Sequence, residues 1–178
     1  MQIIASLDKI EKMQAPLALT IGTFDGMHLG HVFLIKKMQK LCGKTAVVTY
    51  SSHPLSALDS NQKPLQIYPL NRKLEIMAKL GIDLALVLPF REIMELSYDQ
   101  FLGLLMQKLP ISHLVLGSGA AFGKERGGTE EKVKAFGANQ GFEVLYIEKL
   151  KSISSTQIRR CISANDLIAA EKMLGRPL

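Results

Sequence analysis

The chain of 178 residues contains no tryptophan, and aromatic residues make up only 6% of it. That argues against the stacking platforms interleaved with arginine on which single-stranded nucleic acid is held. There is also no run of about five or six basic residues, so the net charge of +6 is not expected to serve a nucleic-acid interface. A small polyphosphate ligand, or a basic surface with no special role, accounts for it equally well. The cysteines number two. Cys42 and Cys161 have no metal-site spacing and are expected to be buried, reduced thiols. No apolar stretch has the length of a bilayer span. The start, MQIIASLDKIEKMQ, is interrupted by Asp8, Lys9 and Glu11 and does not resemble a signal peptide. Together these absences lead to the expectation of a soluble, cytoplasmic protein with no membrane or nucleic-acid partner.

What the sequence does contain is alternation. PLALTIG (16–22), TAVVTY (45–50), LALVLPF (84–90), HLVLG (113–117) and FEVLYI (142–147) are nearly continuous apolar runs, as expected of strands covered on both faces. Between them lie helical patterns. Residues 29–42 form one, and a second starts near Asn71 and stops at Gly81. A third opens on the capping box of Ser97 and Gln100 and ends before Pro110. A fourth runs from Thr129 to Asn139, and a fifth, capped by Asn165, closes at Gly175. Strand–helix repetition implies right-handed crossovers and a mainly parallel five-stranded sheet with helices on both faces, in one domain spanning 1–178. Ligands of such sheets bind at the carboxyl ends of the strands. Each unusual segment of this chain follows a strand, and those segments should converge on one site. The long loop from about Ser51 to Pro69 is either a lid or simply solvated.

Three segments could carry chemistry. TIGTFDGMHLGH, Thr20 to His31, leaves a strand and enters a helix. Its glycines permit a tight turn, and the helix start welcomes an anion. His28 and His31 are neighbours on one helical face. They could donate to a phosphate, which would favour their protonated forms, or bind a metal with Asp25, or be structural. SISSTQIRR places Ser154, Ser155 and Thr156 at another helix start, with Arg159 able to fork onto a polyphosphate; a plain N-cap is the alternative. GSGAAFGKERGG, Gly117 to Gly128, could cradle a phosphate or close over a ring, or be merely flexible. His53 and Pro54 in SSHP end a strand in a turn, and His113 reads as structural. A Ser155–His28–Asp25 triad lacks the strained nucleophile turn that would support it, and paired carboxylates are absent. Such a donor-rich site suits phosphoryl or nucleotidyl transfer, where positioning and charge stabilisation dominate.

GTFDGMHLGH resembles the signature of the adenylyltransferase domain of bacterial FAD synthetases, the bifunctional riboflavin kinase/FMN adenylyltransferases. ISSTQIR is similar to the second motif of the wider HIGH-type nucleotidyltransferase superfamily, and DLIAAEKMLGRPL to the end of that domain. The resemblance implies a Rossmann-like nucleotidyltransferase fold and an FMN adenylyltransferase that converts ATP and FMN, with magnesium, to FAD and pyrophosphate. It implies that His28, His31 and Arg159 act on the ATP phosphates. Gly22, Thr23, Phe24, Asp25, Gly26, Gly117, Ser154, Ser155 and Thr156 would line the ATP site, and His53, Pro54, Phe122 and Gly123 the flavin site. No protein metal ligand is implied. Two departures stand out. GSGAAFG replaces the family's Gly-x-Asp-Phe-x-Phe-Gly, and SSHP its Asp-Pro-His-Pro. They leave a different phosphorylated acceptor, or a non-catalytic nucleotide-binding or flavin-binding domain, as alternatives. No riboflavin kinase domain is expected within these residues, and a separate riboflavin kinase could supply FMN.

Overall fold

A computed structural model describes residues 1–54 and 65–178. The centre of the expected 51–69 loop lies outside the described residues. Among the described residues the strands are β1 (Gln2–Ile4), β2 (Leu17–Ile21), β3 (Thr45–Tyr50), β4 (Leu84–Leu88), β5 (Ile111–Gly117) and β6 (Glu143–Ile147). They form one sheet in the order β1-β4-β3-β2-β5-β6, and every pairing is parallel. The five-stranded expectation is therefore corrected to six. The missed strand is three residues long, lies at the sheet edge and buries only Ile4. Its order comes from pairing with β4, a partner that local sequence does not announce.

Side chains on the central strands alternate between two cores, as strand geometry requires. Leu17, Leu19 and Ile21 face one side with Phe101, Leu102 and Leu105 of α4 (Tyr98–Met106) and Val133 of α5 (Glu130–Gln140). Ala18, Val47 and Val115 face the other. There they meet α1 (Leu29–Met38), α2 (Leu70–Lys79), α6 (Ser155–Ser163) and α7 (Leu167–Leu174). Helices thus cover both faces, as expected.

Local signals set most boundaries. The Ser97–Gln100 capping box forms, with both reciprocal bonds present. Gly141 and Gly175 end α5 and α7 in the left-handed conformation. One start differs from expectation. Asp166, not Asn165, caps α7 by accepting from the Ala169 amide. α2 opens at Leu70, after Pro69 and next to the expected Asn71. After β4, Pro89 directs Phe90 into a short helix, α3 (Phe90–Ile93), where the sequence reads as continuing strand. Cys42 and Cys161 are free and half-buried rather than fully buried. Among the described residues no helix is long and apolar enough to cross a membrane.

The chain leaves β2 toward β3 on one side, while β5 pairs with β2 on the other. The switch point, where open parallel sheets bind ligands, therefore lies between β2 and β5.

Candidate active site

A cavity of about 410 Å³ opens there, at the carboxyl ends of β2, β5 and β6. That volume falls within the range of small-molecule and cofactor sites. One wall is the turn after β2, with Gly22, Thr23, Phe24 and Asp25 leading to His28 and His31. The opposite wall is Gly117 to Ala120, Ile147 to Leu150, and Ser154, Ser155 and Arg159. His53 also lines it. Parts of four of the five post-strand segments expected to converge do so, from 22–31, 50–54, 117–128 and 148–159; Pro89 and Phe90, after β4, are not on the cavity wall.

The two histidines are stacked face to face, with ring centroids 3.7 Å apart and planes 18° from parallel. The Phe24 ring meets His31 edge-on at 5.1 Å. His28 precedes α1 in an extended conformation, and His31 lies in its first turn. Gly30 makes the stack possible, because a Cβ there would stand 3.1 Å from the His28 ring. Burial drives the His28 ring down from its ordinary 6.5 to about 4, against a nearby Asp25 and with help from Arg176. Burial also holds His31 well below its usual value, followed by the charges of His28, Lys73 and Arg176. Without an anion beside them both rings are held neutral at physiological pH; the protonated, doubly donating form is expected only next to a bound phosphate. Among the described residues, neither Nδ1 has a hydrogen-bond partner, and both are buried.

The turn that carries these rings is strained and braced. Phe24 and Met27 hold positive φ angles of 51° and 43°, and non-glycine residues persist in that region only where their surroundings over-determine them. The surroundings do so here. Lys73 Nζ donates to the Thr23 carbonyl at 3.0 Å. Ser155 Oγ donates to the Asp25 carbonyl at 2.9 Å. Arg176 donates to the carbonyls of Gly26, at 3.2 Å, and Met27, at 2.8 Å. The Asp25 carboxylate accepts from the Ile67 amide at 3.1 Å and from Arg159 Nη2 at 2.6 Å.

Arg159 is thus partly committed. Its Nη2 also approaches His53 at 3.5 Å, and its Nε donates to the Leu65 carbonyl at 2.8 Å. Ser154 caps α6 by accepting from the Gln157 amide. Burial, aided by Arg159, lowers the His53 ring. Gly26, Pro54, Thr156, Phe122 and Gly123 are not on the cavity wall. Thr156 is exposed. Phe122 packs against Phe101 instead, and a Cβ on Gly123 would strike the Tyr98 backbone at 2.5 Å. The tail of the glycine-rich segment is therefore a packing element of α4, while its head, Gly117 to Ala120, lines the cavity.

Sequence reasoning missed Lys73. This buried lysine, lowered by burial to about 8, donates to Thr49 Oγ1 at 2.9 Å as well as to Thr23. The available signal was its position three and four residues before the buried Ile76 and Met77 on the same helix. It also missed Arg176, whose partners are 149 and 150 residues away.

The sequence model described as FAD synthetase matches residues 10–160. The chain is 32% identical to a bifunctional riboflavin kinase/FMN adenylyltransferase of Buchnera aphidicola (subsp. Schizaphis graminum), across 99% of this chain and 60% of that one. It is 36% identical to the Listeria monocytogenes protein of the same name, across 89% of this chain and 54% of that one. It spans between 54% and 60% of the length of these relatives. Among solved structures, a macrolide-efflux protein from Streptococcus pneumoniae superposes with a TM-score of 0.87 at 24% identity, over 99% of this chain and 60% of that one. A pantoate-beta-alanine ligase from Francisella tularensis superposes with a TM-score of 0.60 at 15% identity, over 98% and 78%. These two likenesses speak to the fold.

Proposed function

Because the chain belongs to the FAD synthetase family, we propose that it is an FMN adenylyltransferase, which transfers AMP from ATP to FMN and releases pyrophosphate. The observation that carries this reading is the cavity at the β2–β5 switch point. It is walled on one side by the stacked His28 and His31 and on the other by the start of α6. An oxygen of the FMN phosphate attacks the α-phosphorus of ATP, the bond to the β-phosphate oxygen breaks, and pyrophosphate departs with that electron pair. No covalent enzyme intermediate is required.

With both Nδ1 atoms sealed inside, the Nε2 edges of the histidines are the ones a phosphate would meet, as fixed neutral donors. The start of α6, with Ser154 and Ser155 on the cavity wall, would face the triphosphate from across the cavity. Arg159, tied to Asp25, holds that helix against the turn and offers its remaining nitrogen to the ligand. Magnesium enters with the triphosphate as part of the substrate. Magnesium of this kind keeps several waters and is held largely by substrate phosphates rather than by a dedicated protein cage. Residues 1–178 act as one adenylyltransferase domain in a cytoplasmic setting, with FMN supplied by a riboflavin kinase, the other activity in the relatives' names.

A second reading rests on Gly119 and Ala120. They form part of the cavity wall where the resembling motif has Asp and Phe, which favours a different phosphorylated acceptor. Incubation with ATP, magnesium and FMN, with FAD and pyrophosphate followed by chromatography, tests the first reading. FAD formation supports it. ATP turnover only with other phosphorylated acceptors overturns it in favour of the second, and ATP binding without any turnover overturns both.

A further inference from the structure

Arg176 follows the last helix and reaches back across the fold. Its Nη1 donates to the Gly26 carbonyl at 3.2 Å and its Nη2 to the Met27 carbonyl at 2.8 Å. Gly26 and Met27 both have positive φ, 75° and 43°, so this stretch departs from ordinary helical geometry immediately before His28. The Met27 carbonyl belongs to the peptide plane that enters His28, so its direction sets where the His28 ring projects, and the stack passes that placement to His31. A planar guanidinium can hold two successive carbonyls at once; an ammonium offers a point charge without that fork. The segment bearing Arg176 is itself anchored. The Pro177 carbonyl accepts from the Tyr68 hydroxyl at 3.0 Å, and the Leu178 amide donates to Glu171 at 3.1 Å.

We infer that Arg176 is a positioning residue for the adenylyl transfer, fixing the Gly26–Met27 turn so that the His28–His31 stack faces the nucleotide phosphates. The inference rests on the function proposed above for its kinetic consequence, and on geometry alone for its effect on the rings. Charges around those rings come from several elements. His28 is faced by Asp25 and Arg176, and His31 by His28, Lys73 and Arg176.

The test uses the full chain with Arg176→Gln and Arg176→Lys. FAD formation by the Gln variant is expected to fall roughly 10- to 100-fold in kcat/KM, as for a misplaced catalytic group, and the Lys variant should fall between it and the parent. Imidazole 15N spectra of the folded proteins supply the second readout. The His28 and His31 resonances should shift, and His28 should protonate at higher pH once the positive guanidinium is gone. Melting temperatures identify variants that merely unfold. Unmoved ring resonances in folded R176Q overturn the inference, as does turnover within twofold of the parent. If the parent forms no FAD, the proposed function fails, and the ring resonances alone then decide on Arg176.

Discussion

Arg159 of α6 closes onto Asp25 of the β2 turn at 2.6 Å, joining residues separated by 134 positions. The Asp25 side chain is almost wholly buried, with 7% of its surface exposed. This ion pair, together with the Ser155 bond to the Asp25 carbonyl, ties the two walls of the cavity to each other.

Removing one partner should therefore leave an uncompensated buried charge. Arg159→Ala is expected to cost about 3 kcal/mol of stability, and Asp25→Asn made in the same chain should restore part of it. A double-mutant cycle by urea denaturation measures the coupling; a value under about 0.5 kcal/mol would show that the two side chains act independently.

The histidines should matter to rate more than to folding. His28→Ala or His31→Ala is expected to lower FAD formation by about 100- to 1,000-fold, the range for losing one preorganised donor. Comparing kcat with melting temperature checks this. Equal stability loss with no specific loss of rate would assign the rings a packing role.

Acid should destabilise the protein through the same residues. The folded His28 ring protonates at about 4 against its ordinary 6.5, so between those values the unfolded chain binds the extra proton and folding stability falls as pH falls. His31 adds in the same direction. The contribution of His28 is fully present above 6.5 and amounts to roughly 3 kcal/mol at most. Urea midpoints at pH 7.5, 6 and 5 should decline, and the decline should flatten in a His28→Asn variant. Parallel slopes would place the acid sensitivity elsewhere.

The acceptor wall should respond separately from the nucleotide wall. Ala120 lines the cavity beyond β5, so Ala120→Phe is expected to change KM for the phosphorylated acceptor by at least a few fold and KM for ATP by less than twofold. Initial-rate kinetics with each substrate varied in turn decides it. A change confined to ATP would move Ala120 to the nucleotide side.

Much of this arrangement was legible because it is local. Apolar runs marked the central strands, since strands covered on both faces carry little polar residue. The glycine after α5 and the capping box before α4 fixed helix ends through backbone geometry that those residue types uniquely favour. The juxtaposition of His28, Ser154 and Arg159 followed from topology, because parallel strands deliver their following loops to one edge. What stayed hidden depended on distant partners. β1 exists through β4, Lys73 is buried through Thr23 and Thr49, and Arg176 is defined by two carbonyls across the molecule. Phe122 and Gly123 were singled out by their motif alone, and their contacts with Phe101 and Tyr98 could not be seen in it. The neutral state of the histidines could not be seen in their spacing, since it comes from burial.

The braced turn also has a consequence in time. The arginine that holds the Met27 carbonyl is made 149 residues after that left-handed residue. At about 5–20 residues per second that interval is roughly 7–30 s, during which the histidine segment has no such support. The turn that carries His28 should therefore gain its Arg176 brace only late in the synthesis of these residues.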